Sequence, residues 1–402
     1  MAKTAIISVD GHVKASRAGY REYVSTRYLP AYDEWVAAAE EAGLPDSGNL
    51  NPEYGTDAQW DSAARWNALE TQGVVAEVLF PNGQPFQVNR FDDLARAADP
   101  ELEAEGRRAY NRWLADFCAE TPGRRAGQAV VSFADVDQAI ADIHWAKEHG
   151  LGGIMMPALY EGGTNFFDPV LDPIWATIEE VGLPISQHGG AGLPGYSAPG
   201  FAAIMTVAIE NGFYSNRSLW QMIAGGVFDR FPGLRMAWVE TQLMFIVPAI
   251  NHLDMTLSQA DDWMAFATLM KRDRTVNKLA SEYVGVNCFV GVSPFDPRQL
   301  PIDQLVGKDF DGEPLPGFHF GPDAAMFGVD YPHFESFFPH TDEKVALLAR
   351  HPSVTQEDAE KILFGNAASF YGFDIAGLQS KIDRIGFELA EVGETALTEI
   401  PS

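Results

Sequence analysis

Short apolar segments alternate with longer amphipathic segments along most of the chain. Eight segments are nearly continuous runs of apolar and β-branched residues, which is typical of strands that are buried on both faces. The predicted strands are residues 4–9, 76–80, 128–133, 153–156, 184–187, 236–239, 284–290 and 326–329. Strands of this kind favour a parallel sheet covered by helices.

Helical periodicity fills gaps between these runs, over residues 61–72, 101–120, 135–149 and 169–181. The third pattern begins at an Asp, a good N-cap, and glycines directly follow the third and fourth patterns, as they often follow helices. Because strand and helix alternate through the chain, we predict an α/β fold in which a parallel sheet closes into a TIM (β/α)8 barrel.

Three irregular segments and the C-terminal tail exceed what a minimal barrel needs. The irregular segments, predicted as insertions, are residues 15–57, 84–100 and 294–322, and the tail contains an amphipathic helical pattern. We therefore predict a barrel domain over residues 1–373 and a helical tail over residues 374–402. Long loops in compact domains often bind partners. We expect the first insertion or the tail to pack against a second subunit, giving a homo-oligomer with a dimer as the default.

The charge balance excludes several classes of partner. The 402 residues include 28 basic and 56 acidic residues, which gives a net charge of −28. Such a field repels nucleic acids and anionic membrane surfaces, so we expect neither and predict a small-molecule substrate. No apolar run approaches the roughly 20 residues of a membrane span, and we identify no signal peptide. Cys118 and Cys288 alone form no disulfide framework, so we predict a cytoplasmic protein.

Side chains that can bind a metal ion follow four of the predicted strands. After strands one, five, six and eight, they are Asp10 and His12, His188, Glu240, and Asp330 and His333. Asp10 and His12 stand two residues apart, so both point to the same side of an extended chain. Each motif alone is also typical of a turn or a satisfied loop residue. Because the carboxyl ends of barrel strands carry the active site, their joint placement predicts a metal centre.

The donor types narrow the choice of metal. Two imidazoles with two or three carboxylates suit Zn²⁺, Mn²⁺ or Fe²⁺. Cu(I) prefers sulfur ligands, and Ca²⁺ prefers oxygen ligands alone. We therefore expect one divalent ion, with Zn²⁺ as the first choice and Mn²⁺ or Fe²⁺ as alternatives. A site with an open coordination position would activate water near neutral pH.

The segments VDGH, QHGG, FGVDYPH and FGNAASFYGF resemble the amidohydrolase-related family of aminocarboxymuconate-semialdehyde decarboxylase and γ-resorcylate decarboxylase. The segments YNRWLADFCAETPGRRAG and FDRFPGLRMAWVE are similar to the large actinobacterial branch of that family. The resemblance covers nearly the whole chain and is specific at the level of the superfamily. It implies a distorted TIM barrel and one divalent metal ion.

The resemblance also implies a ligand set. The family's first-strand motif, HxH or ExH, matches Asp10 and His12, its strand-five His matches His188, and its strand-eight Asp matches Asp330. The strand-six position, a His in the well-known decarboxylases, is Glu240 in this chain. A carboxylate at that position can bind the metal, accept a proton, or do both.

The replacement at residue 240 favours hydrolysis by metal-activated water over direct transfer of the decarboxylase mechanism. We therefore predict a metal-dependent hydrolase that acts on a small aromatic or heterocyclic molecule. In this hypothesis Asp330 is a ligand and proton acceptor, Glu240 takes part in the chemistry, and His333 shuttles protons. The alternatives are non-oxidative decarboxylation of an aromatic carboxylate, hydration of a carbon–carbon double bond, and a metal-free barrel that acts as a binding or scaffold protein.

Overall fold

Nine strands form one parallel sheet in the part of the chain that the structure describes. The structure is a computed structural model, and it describes residues 3–44, 46, 57–86, 99–156, 165–189, 200–259, 276, 278–293, 301–336 and 338–392. The strands are β1 (Ile6–Ser8), β2 (His12–Val13), β3 (Val74–Pro81), β4 (Arg125–Val130), β5 (Gly153–Met155), β6 (Ile185–His188), β7 (Met236–Val239), β8 (Cys288–Val292) and β9 (Ala325–Phe327).

Eight of these strands form a nearly closed TIM barrel, as the sequence predicts. Their order is β1-β3-β4-β5-β6-β7-β8-β9, and β2 pairs with the end of β3. The first and last strands meet through backbone hydrogen bonds. Val9 N donates to Phe327 O at 3.0 Å, and Asp330 N donates to Asp10 O at 3.0 Å. The strand predicted at residues 4–9 is shorter in the structure, because the chain bends after Ser8, and β2 follows at His12.

The strands are apolar because both of their faces are buried. Ile6 packs in the outer layer between sheet and helices, whereas Ile7 packs inside the barrel, and both are 0% exposed. Leu79 and Phe80 divide in the same way between the outer layer and the interior. Because successive residues face two apolar environments in turn, the strands are continuous apolar runs and show no alternation of apolar and polar residues.

Helices cover the outside of the sheet. They are α1 (Arg17–Tyr20), α2 (Leu29–Glu41), α3 (Ser62–Glu70), α4 (Pro100–Ala119), α5 (Val136–Glu148), α6 (Asp172–Val181), α7 (Phe201–Ala224), α8 (Val227–Arg230), α9 (Ile246–Gln259), α10 (Ile302–Val306), α11 (Thr341–Ala349), α12 (Gln356–Glu360), α13 (Asn366–Tyr371) and α14 (Ile375–Ile385). A π-helical turn joins α12 to α13. As predicted, Asp135 caps α5 by accepting from Gln138 N, and Gly182 ends α6 in a left-handed conformation.

The C-terminal segment packs against the barrel of its own chain. Leu378 and Ile382 of α14 are buried in the same apolar cluster as Ala5 and Ile7 of the barrel interior. Just beyond the helix, the backbone of Phe387 bridges Thr4. The buried face of the predicted amphipathic helix is therefore turned toward the start of β1. Residues 393–402 lie outside the described residues.

The described part of the first insertion also lies against the barrel. It contains α1 and α2, whose Tyr20 and Tyr32 are buried. The Tyr20 hydroxyl donates to Gly83 O at 2.9 Å, which ties α1 to the loop after β3. Most of the second predicted insertion, residues 87–98, and residues 294–300 of the third lie outside the described residues. Among the described helices, none is long and apolar enough to span a membrane.

The predicted homo-oligomer stays a prediction. We expect light scattering at working concentration to return at least twice the 44.0 kDa mass of one chain, because the first insertion and the tail add surface beyond a minimal barrel. A mass of one chain across the concentration range used in activity assays would contradict it.

Candidate metal centre

The predicted donor side chains converge where the barrel strands end. They form two overlapping groups whose donor atoms lie within 4.8 Å of one another, namely Asp10, His12, His188 and Glu240, and His12, Glu240, Asp330 and His333. The two groups share His12 and Glu240. His188 and Asp330, which the resemblance assigns to one ion, belong to different groups that overlap at these shared residues.

His188 and Asp10 form the centre of the first group. The Nε2 atom of His188 lies 3.2 Å from Oδ1 of Asp10 and 3.3 Å from Oε2 of Glu240. The Nδ1 atom of His188 lies 2.9 Å from Gly189 O. That backbone contact leaves Nε2 as the nitrogen that faces the carboxylates and would face an ion.

His12 connects the first group to the second. Its Nε2 atom lies 3.2 Å from Oδ1 of both Asp10 and Asp330. The His333 ring stacks on the His12 ring with centroids 3.8 Å apart, and His333 Nδ1 lies 3.0 Å from Asp330 Oδ1. On its other side, His333 Nε2 lies 3.1 Å from Oδ1 of Asn82. Asn82 therefore fixes the ring so that Nδ1 faces the donor groups.

The backbone at two donors adopts a conformation that is costly for residues other than glycine. Glu240 has φ 55° and Asp330 has φ 61°, both in the left-handed region. The backbone is also closely packed at the end of β7, where a Cβ on Gly189 would lie only 2.2 Å from Glu240 O. The first glycine of the QHGG segment thus permits β6 and β7 to approach where both carry donors. Such conformations occur frequently at functional sites.

Neighbouring charges outweigh burial at His188 and Asp10 and favour the charged form of both side chains. Burial alone would lower the pKa of His188, but the charges of Asp10 and Glu240 outweigh it and raise the pKa to about 10. Burial likewise acts to raise the pKa of Asp10, yet His188 and His12 hold it well below its ordinary range. In the absence of a metal ion, a protonated His188 therefore pairs with an ionised Asp10.

The remaining donors have pKa values shifted toward their neutral forms. Burial, together with the negative charge of Asp330, raises the pKa of Glu240 well above its ordinary value. Burial and the charge of Asp10 raise the pKa of Asp330 to about 7. Burial also lowers the pKa values of His12 and His333. Shifts of this kind, concentrated in one cluster, are typical of functional sites.

Several buried atoms that could bind a metal ion form no hydrogen bond of suitable geometry among the described residues, although some lie close to one another. They are Oδ2 of Asp10, both ring nitrogens of His12, both carboxylate oxygens of Asp330 and Nδ1 of His333. Leaving such atoms unpaired in the interior is costly, whereas a cation would satisfy several of them together. The residues therefore fit one divalent ion with mixed nitrogen and oxygen ligands.

The sequence profile of the Amidohydrolase family matches residues 89–373, more than half of the chain. The chain belongs to the amidohydrolase family. The match spans β4 to β9 and the helices between them, and it includes His188, Glu240, Asp330 and His333. Asp10 and His12 precede the matched region.

Solved structures with the same fold cover nearly the whole of this amidohydrolase. The 5-carboxyvanillate decarboxylase of Sphingomonas paucimobilis is 17% identical, with a TM-score of 0.61 over 92% of this chain and 100% of that chain. An amidohydrolase of Mycobacterium avium subsp. paratuberculosis is 16% identical, with a TM-score of 0.62 over 94% of this chain and 100% of that chain. At these identities the likeness shows the fold alone.

A third similar structure contains a metal ion. The dihydroxybenzoic acid decarboxylase of Polaromonas sp. JS666, with bound manganese and the inhibitor 2-nitroresorcinol, is 17% identical. The two structures share a TM-score of 0.60 over 93% of this amidohydrolase and 99% of that chain. No curated protein matches the chain by sequence.

Sequence analysis missed one acidic residue beside the cluster. Glu335 is half-buried, and its Oε2 atom is buried without a hydrogen-bond partner among the described residues. Burial raises its pKa, and its charge interacts with those of Glu240 and Asp330. Its place five residues after Asp330 was the available signal, because a short loop after β9 keeps it near the same edge of the barrel.

Proposed function

We propose that this amidohydrolase is a divalent-metal-dependent lyase that removes a carboxyl group from a small aromatic acid without oxidation. The observation that carries the proposal is the position of Glu240, a carboxyl group that reaches solvent and lies within the cluster of metal donors. The side chain of Glu240 is 24% exposed, whereas those of Asp10 and Asp330 are fully buried. Its raised pKa favours the protonated form, which is the form that a proton donor needs.

The proposed ligands are Asp10, His12, His188 and Asp330. Their donors include the buried unpaired atoms that a cation would satisfy. Mn²⁺, Zn²⁺ and Fe²⁺ all suit this set. The manganese in the similar Polaromonas structure supports testing Mn²⁺ first. When bound, the ion would supply Lewis acidity and neutralise the carboxylate of the substrate.

Decarboxylation requires a proton donor at the ring carbon, and we assign that role to Glu240. The ring carbon that carries the carboxylate accepts the proton of the Glu240 carboxyl group and forms a new C–H bond. The C–C bond then breaks, its electron pair returns to the ring, and CO2 leaves. Glu240 is left as a carboxylate 3.3 Å from Nε2 of His188, where a cation held by the ligands would offset its charge. Solvent returns the proton, for which the partial exposure of Glu240 provides access.

The substrate class follows from similarity and from charge. Two of the similar structures are decarboxylases of hydroxylated aromatic acids by name. A small aromatic acid carries one carboxylate, which a bound cation can offset although the chain as a whole has a net charge of −28. Both cysteines are free and buried thiols, so we retain the cytoplasm as the proposed location.

Hydrolysis is the second candidate because of the same residue. An ionised Glu240 beside His188 would accept a proton from water, as a general base in hydrolysis does. The similar structures favour decarboxylation over this original hypothesis. The two activities differ in their products, so a product assay separates them.

Decarboxylation in D2O tests the proposal. The Mn²⁺-loaded protein should release CO2 from an ortho-hydroxylated benzoate such as 2,6-dihydroxybenzoate or 5-carboxyvanillate. The product should carry one deuterium at the carbon that lost the carboxyl group, since the proton donor exchanges with solvent. Mass spectrometry and NMR measure both results, with the chelator-treated protein as the control. Absence of CO2 from a panel of such acids, combined with cleavage of aromatic amides or lactones, would replace the proposal by hydrolysis.

A further inference from the structure

A buried arginine lies directly beneath the candidate metal centre. Arg65 of α3 is 0% exposed and its guanidinium group forms a close ion pair with Glu77 of β3. Its Nε atom lies 3.0 Å from both Glu77 carboxylate oxygens, and Nη2 lies 2.8 Å from Oε2. A planar guanidinium group suits this forked arrangement, which a lysine cannot reproduce.

The guanidinium group of Arg65 also donates to three backbone carbonyls, two of which lie in segments that carry metal donors. Nη1 donates to His12 O at 3.0 Å and to Ala58 O at 3.0 Å. Nη2 donates to Tyr331 O at 3.1 Å. His12 is itself a donor residue, and Tyr331 directly follows the donor Asp330. One side chain therefore fixes segments from the beginning and the end of the barrel.

The glycine of the VDGH segment is explained by the same side chain. A Cβ on Gly11 would lie 2.8 Å from Nη2 of Arg65 and 3.2 Å from Oε2 of Glu77. The ion pair therefore occupies the space beside the backbone between Asp10 and His12. A Cβ at residue 11 would force this ion pair to shift, so glycine lets the ion pair lie close to the backbone between the two flanking donors.

We propose that Arg65 is a positioning residue that sets the geometry of the metal ligands through the backbone of His12 and Tyr331. The proposal rests on the proposed function, because it presumes that these donors bind a divalent ion. It goes beyond that function because it assigns a role in metal binding to the buried pair of Arg65 and Glu77, neither of which is a proposed metal ligand. A buried ion pair is weak support for stability alone, since its desolvation cost offsets its attraction.

The test measures Mn²⁺ affinity in folded variants, by electron paramagnetic resonance at a temperature well below unfolding. Arg65→Lys keeps the charge but loses the fork, and Arg65→Met removes the guanidinium group while Glu77 keeps the buried Arg125 as a partner at 3.5 Å. We expect a Kd for Mn²⁺ about 10- to 100-fold higher in each, as is usual when residues that orient metal ligands are lost. The absorption bands of bound Co²⁺ should also shift, because the ligand geometry changes.

Arg65→Met separates positioning from stability. Glu77 stays paired in this variant, because Nε of the buried Arg125 lies 3.5 Å from its Oε1 atom, so no buried carboxylate loses its last partner. Thermal unfolding checks that the variant is folded at the temperature of the binding measurement. A folded Arg65→Met protein that binds Mn²⁺ with wild-type affinity and an unshifted Co²⁺ spectrum would overturn the proposal.

Arg124 provides a matched control. It is 9% exposed, pairs with Glu70 at 2.9 Å and donates to Val75 O near the start of β3, away from the donor groups. Arg124→Met should lower the melting temperature and leave the Kd for Mn²⁺ unchanged. An equal rise in Kd in this control would also overturn the proposal. If the wild-type protein binds no divalent ion, the proposed function fails first, and the inference falls with it.

Discussion

Replacing Glu240 by Gln should lower turnover of the metal-loaded protein by about 10²- to 10⁴-fold, the usual contribution of a general acid or base. Gln keeps the shape of the side chain but can neither release nor accept the proton. The melting temperature should change little, because Gln has the shape of the protonated carboxyl group and adds neither a charge nor a cavity to the crowded acidic cluster. Steady-state kinetics at saturating substrate, together with thermal unfolding, measure the two effects.

The same variant distinguishes catalysis from scaffolding. If Glu240 only holds a loop, Glu240→Gln should lose stability and retain its rate per folded molecule. Full activity in a folded, metal-loaded Glu240→Gln protein would contradict the proposed proton donor. A neighbouring acid would then have to supply the proton to the substrate, and Glu335→Gln would be the next variant to measure.

Replacing His12 or His188 by Ala should remove metal and activity together. Each imidazole contributes Nε2 to the donor groups, His12 to both and His188 to the first. The loss of metal affinity should exceed the about 10- to 100-fold that is typical of residues that only orient a ligand. Metal analysis of the purified variants and kinetics at a fixed concentration of added Mn²⁺ test this prediction.

His144 is a suitable control for the histidine variants. It lies on α5, its side chain is exposed, and it is far along the chain from the donor groups. His144→Ala should retain wild-type metal content and turnover. A variant of His12 or His188 that binds a full equivalent of metal with wild-type affinity would remove that residue from the ligand set.

The sequence predicted the barrel well because hydrophobic periodicity is a local signal. The strand predicted at residues 236–239 has the same bounds as β7, since all four residues are buried between two apolar layers. The strand predicted at residues 284–290 is shifted, because β8 begins at Cys288. Residues before it form a turn in which Gly285 has φ 78°, and apolar valines on either side of that glycine imitate a strand.

The candidate site was only partly predictable for a different reason. Residues at strand ends are recognisable from the sequence, and the structure brings Asp10, His188 and Glu240 together across the barrel. The Arg65 contact depends on which cation lies opposite Glu77, and sequence alone does not choose among 28 Lys and Arg residues. The carboxylate of Glu77 inside the apolar strand β3 indicates that a cation lies nearby. The packing of α3 on the sheet determines which cation that is.

The reaction proposed from the structure differs from the one predicted from the sequence, whereas the site residues are the same. The hydrolase hypothesis rested on one residue, Glu240, in place of a histidine. The proposed function takes the decarboxylase alternative instead, and the raised pKa of Glu240 is compatible with an acid as well as with a base. A substitution at one family position therefore does not by itself indicate a change of reaction.

The contact between the first and last strands of the barrel has a consequence for the stability of the fold. The junction of β1 and β9 depends on isolated backbone contacts, such as that between Val9 and Phe327, rather than on a continuous ladder. Asp10 and Asp330 stand on opposite sides of it. A cation held between them would act as a clasp across the junction, so ion occupancy and barrel closure would reinforce each other. The chemistry and the cohesion of the molecule would then depend on one and the same ion.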